Sequence, residues 1–160
     1  MSAPVVEVHD LPPLLARNAQ LVGLDLGDKT IGVAVSDFSR RIASPLSTVR
    51  RRKFGADVAA LLKLLEGREI GAFILGLPVN MNGEEGPRAQ SSRAFARNLS
   101  RLVETPIALW DERLSTVAAE RALLEADASR RRRAEVIDNV AAAYILQGAL
   151  DRLAALERDA

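Results

Sequence analysis

Three carboxylates stand where apolar residues would be expected. Asp25 interrupts the run Leu21-Val22-Gly23-Leu24-Asp25-Leu26. Glu112 closes Ile107-Ala108-Leu109-Trp110-Asp111-Glu112, and Asp138 lies in Val136-Ile137-Asp138-Asn139-Val140. A buried carboxylate is costly unless it is paired or bound to a metal. Brought together, three of them would form a hard-oxygen cage suited to Mg²⁺ or Mn²⁺. The chemistry such a cage supports is metal-assisted hydrolysis of a phosphodiester.

Each acid has a competing structural role. Strand alternation places Gly23 and Asp25 on one sheet face, with Val22, Leu24 and Leu26 on the other. Aspartate is a poor mid-strand residue; its bland role is to cap the turn at Gly27 or pair with Lys29. Glu112 sits between a buried strand and a helix, at the carboxyl end of a strand where α/β proteins place ligand sites. Asp111 and Glu112 point to opposite faces if the strand persists, and periodicity leaves open which one faces the site. Its bland role is a solvated turn, with Ser115 or Thr116 capping the helix. Asp138 alone suits a helix start, where the dipole favours an acid.

The rest of the chain narrows the chemistry. A chain of 160 residues suits one domain. Its 48% hydrophobic and 27% charged residues are ordinary for a soluble protein. With no cysteine there are no disulfides, thiolate sites or cysteine nucleophiles. The single histidine, His9, lies in the N-terminal segment, which argues against a histidine metal site or a Ser-His-Asp triad. Net charge is +1, yet Arg50-Arg51-Arg52-Lys53 and Arg130-Arg131-Arg132-Arg133 concentrate positive charge that can neutralise phosphates. As bare charge runs, both also read as solvated loops. There is no secretory signal and no apolar stretch long enough to cross a membrane, so a soluble, cytoplasmic protein with no membrane partner is expected.

The elements that must position the acids follow from periodicity. Residues 1–19, with Pro4, Pro12 and Pro13, read as an N-terminal extension, flexible before a domain over 20–160. Leu21–Leu26 and Thr30–Ser36 read as a hairpin joined through Gly27-Asp28-Lys29. Ile42–Val49 is a third strand, placed near an edge by Pro45. A helix over Phe54–Glu66 ends at Gly67. Ala72–Leu77 is a buried parallel strand. A helix opens at Pro87 with Phe95, Leu99 and Leu102 on one face and Arg93, Arg97 and Arg101 on another. Ile107–Trp110 is a further buried strand. A helix over Leu114–Ala126, a basic loop over 127–134 and a long helix over Glu135–Glu157 complete the chain. The order predicts an α/β fold with a mixed central sheet of about five strands flanked by helices.

Four segments, in order and together spanning roughly residues 21–150, resemble the YqgF family of Holliday-junction-resolvase-like proteins. They are residues 24–34 (Leu-Asp-Leu-Gly-Asp-Lys-Thr-Ile-Gly-Val-Ala), 76–83 (Gly-Leu-Pro-Val-Asn-Met-Asn-Gly), 111–116 (Asp-Glu-Arg-Leu-Ser-Thr) and 137–142 (Ile-Asp-Asn-Val-Ala-Ala). The resemblance implies an RNase H-like fold. It implies that Asp25, Glu112 and Asp138 are the catalytic, metal-binding acids, which selects Glu112 over Asp111 by analogy. It implies a nuclease acting in 5′-end maturation of pre-16S rRNA, with pre-16S rRNA or pre-ribosomal particles as partner. Lys29, Arg113, Arg131 and Arg132 become candidates to hold substrate phosphates. The chain departs from the family at Asp28, where many relatives carry Thr, and at Ala118, which leaves the capping box after Ser115 incomplete.

Rival classes remain at this level. A junction-type DNA resolvase requires a dimer, whereas a monomer or weak homodimer is expected for the RNA nuclease. A non-catalytic nucleic-acid-binding or transcription-associated factor would leave the three acids without a task. An ATPase module like that of actin and the sugar kinases would need a second phosphate-binding domain that this chain lacks. Few aromatics are available for base stacking, so sequence does not separate RNA from DNA.

Overall fold

The computed structural model describes residues 2–114 and 130–159, with side chains in the last helix from Asn139 onward. Six strands form one mixed sheet: β1 (Val5–Glu7), β2 (Gln20–Leu26), β3 (Thr30–Ser36), β4 (Ala43–Arg50), β5 (Ile70–Leu77) and β6 (Ile107–Asp111). Their spatial order is β1-β6-β5-β2-β3-β4. The β2–β3 and β3–β4 pairs are antiparallel; β2–β5, β5–β6 and β1–β6 are parallel. Three helices are described: α1 (Phe54–Leu64), α2 (Pro87–Ser100) and α3 (Arg130–Arg158).

Alternation along the strands sorts two cores. Val22, Leu24, Phe73, Leu75, Ile107 and Leu109 face α1 and α2. Leu21, Ile74, Ala108 and Trp110 face α3. The sheet is thus covered on both sides, as its continuous apolar parallel strands require. Phe54 of α1 meets Phe95 of α2 edge to face, with ring centroids 5.3 Å apart, which ties the two helices into one layer. β4 lies at the sheet edge as Pro45 predicts, with a register shift between Val33 and Ala34 opposite that proline.

The structure departs from the sequence reading in four places. The sixth strand comes from the segment expected as a flexible extension: Val5 pairs with Ile107, the Ile107 N–H donates to the Pro4 carbonyl at 3.0 Å, and Val8 and Leu11 are buried. The prolines signalled a loop, but Pro4 precedes an edge strand and Pro12 starts a 3-10 turn, both sites that tolerate a missing N–H. α1 stops at Leu64, two residues before the expected end, and Gly67 follows with φ +84°. α2 ends at Ser100, so Leu102 leaves the buried face and is 55% exposed. The basic run does not form the expected loop: Arg130–Ala134 is helical, consistent with the helix propensity of arginine and alanine. The helix expected over Leu114–Ala126 lies, beyond Leu114, outside the described residues.

Candidate active site

Asp25 sits on the α3 side of β2 and is only 4% exposed. Gly32 of β3 is its antiparallel partner, directly opposite and on the same face. On the other side the β2–β5 register pairs Leu24 with Leu75. Its next step brings Asp25 beside Gly76. The residue directly beside Asp25 on each neighbouring strand is therefore a glycine, and the carboxylate lies in a notch between the two. Gly23, two residues earlier on the same face, lets α3 pack directly on the sheet: a Cβ there would lie 2.6 Å from the Ala142 carbonyl oxygen and 2.7 Å from Leu146 Cβ.

Gly76 brings in the second acid. A Cβ on it would come within 2.5 Å of Ile145 Cδ1 and 3.4 Å of the Glu112 carboxyl carbon. The Glu112 carboxylate thus rests over Gly76, one strand from Asp25, and strands lie roughly 4.7–4.9 Å apart. The chain achieves this by leaving the sheet after Asp111: Glu112–Leu114 forms a 3-10 turn. Asp111 is in register with Leu77, on the α1/α2 side. It accepts from the Arg113 backbone N–H at 2.9 Å and from its guanidinium Nη2 at 2.7 Å. That hydrogen bond holds the Asp111 carboxyl below the usual carboxylate range and raises Arg113. The geometry accordingly separates two acids that periodicity left equivalent. Asp111 closes the turn, and Glu112 is delivered to the face that carries Asp25.

The third acid, Asp138, is placed by backbone only. Its position lies in α3 one helical turn before Ala142, whose carbonyl oxygen approaches Gly23; its side chain lies outside the description. Asn139 beside it has a buried Oδ1 with no hydrogen-bond partner among the described residues. An acceptor buried without a donor is unfavourable. Among the described residues no group of three or more Asp, Glu, His or Cys could hold a metal. Asp25 and Glu112 supply two hard carboxylate donors of the kind Mg²⁺ and Mn²⁺ accept.

The expected phosphate-holding residues fare differently. Lys29 is exposed in the β2–β3 turn, close in sequence to Asp25. Arg113 is engaged by Asp111, and its Nη1 lies 3.6 Å from where a Cβ on Gly83 would be. Arg131 and Arg132 lie in the first turn of α3, with side chains outside the description. In the Arg93/Arg97/Arg101 stripe, Arg93 is taken by Glu85 through paired hydrogen bonds, one of them 2.8 Å, and only Arg97 and Arg101 are exposed. What sequence reading missed is the glycine frame of Gly32 and Gly76 around the acid. The signal was present as glycines inside otherwise apolar strands, which mark close approach of another group.

A family model described as "RuvX: Holliday junction resolvase" matches residues 19–152. The chain belongs to the RuvX family. RuvX-family relatives share most of its length. A protein from Ruegeria pomeroyi named "Putative pre-16S rRNA nuclease" is 71% identical over 143 residues, covering 89% of this chain and 90% of that protein. One of the same name from Rhodobacter capsulatus is 66% identical over 151 residues, covering 94% and 95%. Among solved structures, the yeast mitochondrial Holliday junction resolvase Ydc2 superposes with a TM-score of 0.51 at 13% identity, covering 94% of this chain and 85% of that one. At that identity the match speaks to fold alone, and the fold is RNase H-like.

Proposed function

We propose that this chain is a divalent-metal-dependent nuclease that matures the 5′ end of pre-16S rRNA in the cytoplasm. The observation that carries the proposal is the buried Asp25 in its glycine notch with the Glu112 carboxylate over the adjacent strand. The family and the names of its high-identity relatives supply the reaction class and the substrate.

Asp25, Glu112 and Asp138 are the residues that would hold Mg²⁺ or Mn²⁺. When bound, such an ion supplies Lewis acidity and lowers the pKa of a coordinated water. The protein's own contribution is positional. Burial of Asp25 between two strands fixes its carboxylate without a flexible stem, and the 3-10 turn braced by Asp111 and Arg113 fixes Glu112. The fixed geometry limits reorganisation during the reaction. In the hydrolysis a water oxygen bonds to phosphorus, the P–O3′ bond breaks, and the 3′ oxygen takes up a proton. The products are a 3′ hydroxyl and a 5′ phosphate. Lys29, Arg131 and Arg132 are proposed to hold neighbouring phosphates; Arg113, given its pairing, braces the Glu112 turn.

The family description favours one second reading, cleavage of four-way DNA junctions. The two are separated by giving the wild-type protein, in Mg²⁺ and in Mn²⁺, a 5′-labelled 16S precursor fragment and a four-way junction side by side. The proposal expects cleavage of the RNA at its 5′ region. Cutting of the junction with the RNA left intact would replace it with the resolvase reading.

A further inference from the structure

We infer that a basic cleft on the α2 side of the β2–β3 turn seats a backbone phosphate of the bound nucleic acid. The inference deepens the nuclease reading, on which it rests for the class of ligand. The cleft holds about 160 Å³, well above the roughly 10–15 Å³ that one water needs. Gly27, Asp28, Arg51, Pro87, Arg88 and Ser91 line it. It opens immediately past Leu26, the residue after Asp25, at the same end of the sheet as the acids and on the opposite face.

The fold assembles this cleft from three distant segments. The Thr30–Arg50 pair and the hydrogen bond from Arg51 N–H to the Lys29 carbonyl, 2.8 Å, lay the end of β4 along the turn. Arg51 Nη1 donates to the Gly27 carbonyl at 2.8 Å. That uses one of five guanidinium donors, so the group is held in place with most of its donors unspent. Arg88 arrives from α2. Among the described residues neither Arg51 nor Arg88 forms an ion pair. Asp28 is the one carboxylate in the lining, against two guanidinium groups. Lys29, Arg50, Arg52 and Lys53 flank the lining residues in sequence, against Asp57, Glu84 and Glu85, of which Glu85 is already paired with Arg93.

Arg88 also occupies a position that needs an explanation. The first turn of α2 contains no acidic residue, and the N-cap, Gly86, offers no side-chain hydrogen bond. A cation in the first turn opposes the helix dipole. An anion between Arg88 and Arg51 offsets both charges at once, and paired arginines match phosphate geometry.

The test is binding of a labelled single-stranded RNA, and of a DNA strand of the same sequence, by the full-length protein in EDTA across a salt series. Cleavage is blocked there, so the result stands apart from the nuclease reading. Each lost phosphate contact flattens the slope of log K against log salt by roughly 0.7 for single strands. Arg88→Ala should lose about that much on both strands, and Arg51→Ala the same. Arg51→Lys, which keeps the charge and gives up the Gly27 bond geometry, should retain the slope; this separates loss of a phosphate contact from damage to the turn. Asp28→Asn should tighten binding. Wild-type slope and affinity in both alanine variants would overturn the inference, even for a protein that cuts RNA. Absence of cleavage in the separate Mg²⁺ and Mn²⁺ assays, together with the slope change in EDTA, would overturn the nuclease reading and leave the phosphate seat standing.

Discussion

At the residue scale, the central question is what a buried carboxylate does near the end of an apolar strand. If Asp25 is a metal ligand, the divalent ion should stabilise the folded protein. At one hundred times Kd, binding adds about 2.7 kcal/mol, roughly 5–10 °C in Tm for a domain of this size. Differential scanning calorimetry with and without Mn²⁺ should show that shift in the wild type and lose it in Asp25→Asn. An equal shift in both proteins would remove Asp25 from the ligand set. Asp111 gives a prediction of a different kind. Its folded pKa is depressed, chiefly by the Arg113 hydrogen bond. A depressed carboxylate contributes stability above its unfolded pKa, about 3.9, and loses it as pH falls through the lower folded value. The stability gap between wild type and Asp111→Asn should therefore stay level from pH 7 to about pH 5 and shrink below about pH 4, as read by urea unfolding. A gap that grows on acidification would contradict the pairing. Asp25 and Glu112 stood out in the sequence as acids set in or closing apolar runs, whereas periodicity did not separate Glu112 from Asp111, and only the family resemblance chose between them. That separation depends on the chain turning out of the sheet after Asp111, which alternation along a strand cannot register.

At the scale of elements, glycine positions decide how closely α3 and the 3-10 turn approach the sheet. In Gly76→Ala the new Cβ meets Ile145 Cδ1 at 2.5 Å and crowds the Glu112 carboxyl. Overpacking of this kind costs about 1–3 kcal/mol. The Ile145 end is a flexible side chain, so adding Ile145→Val should recover part of the stability, while the crowding of Glu112 persists and activity stays low. Measuring Tm and cleavage rate for both single variants and the double variant checks this; recovery of activity along with stability would mean that Glu112 is indifferent to its placement. Gly23→Ala has no such escape, since its neighbour at 2.6 Å is the Ala142 backbone, and it should destabilise the fold more than Gly76→Ala does. Most elements were readable from pattern: the β2–β3 hairpin, the edge position of β4, the parallel β5, the buried β6, and Pro87 opening α2. Leu102 was misassigned because helical spacing continues in the sequence past Ser100, where the backbone helix does not.

At the scale of the whole molecule, the N-terminal segment is part of the folded sheet. Val8 and Leu11 are buried, and β1 covers the edge of β6. Burying one such side chain is worth about 1.5–3 kcal/mol, so deleting residues 1–11 should lower stability by roughly 3–6 kcal/mol and expose the β6 edge to association. Urea unfolding and sedimentation would register both; an unchanged midpoint would show that the segment is dispensable. Its contribution was hidden in the sequence because three prolines masked a short Val-Val-Glu-Val strand pattern. The alternating α and β pattern, by contrast, was enough to anticipate a mixed sheet flanked by helices. Among the described residues no helix is long and apolar enough to cross a membrane.

The most direct test is cleavage of a 5′-labelled 16S precursor fragment in Mn²⁺ and Mg²⁺ by wild type, Asp25→Asn and Asp138→Asn, with each variant shown to be folded. Metal-dependent cutting should fall by about three orders of magnitude in both variants, equivalent to roughly 4 kcal/mol of transition-state stabilisation. Equal cutting by all three proteins, or none by any in either metal, would contradict the assignment of these acids and leave a nucleic-acid-binding protein as the better account.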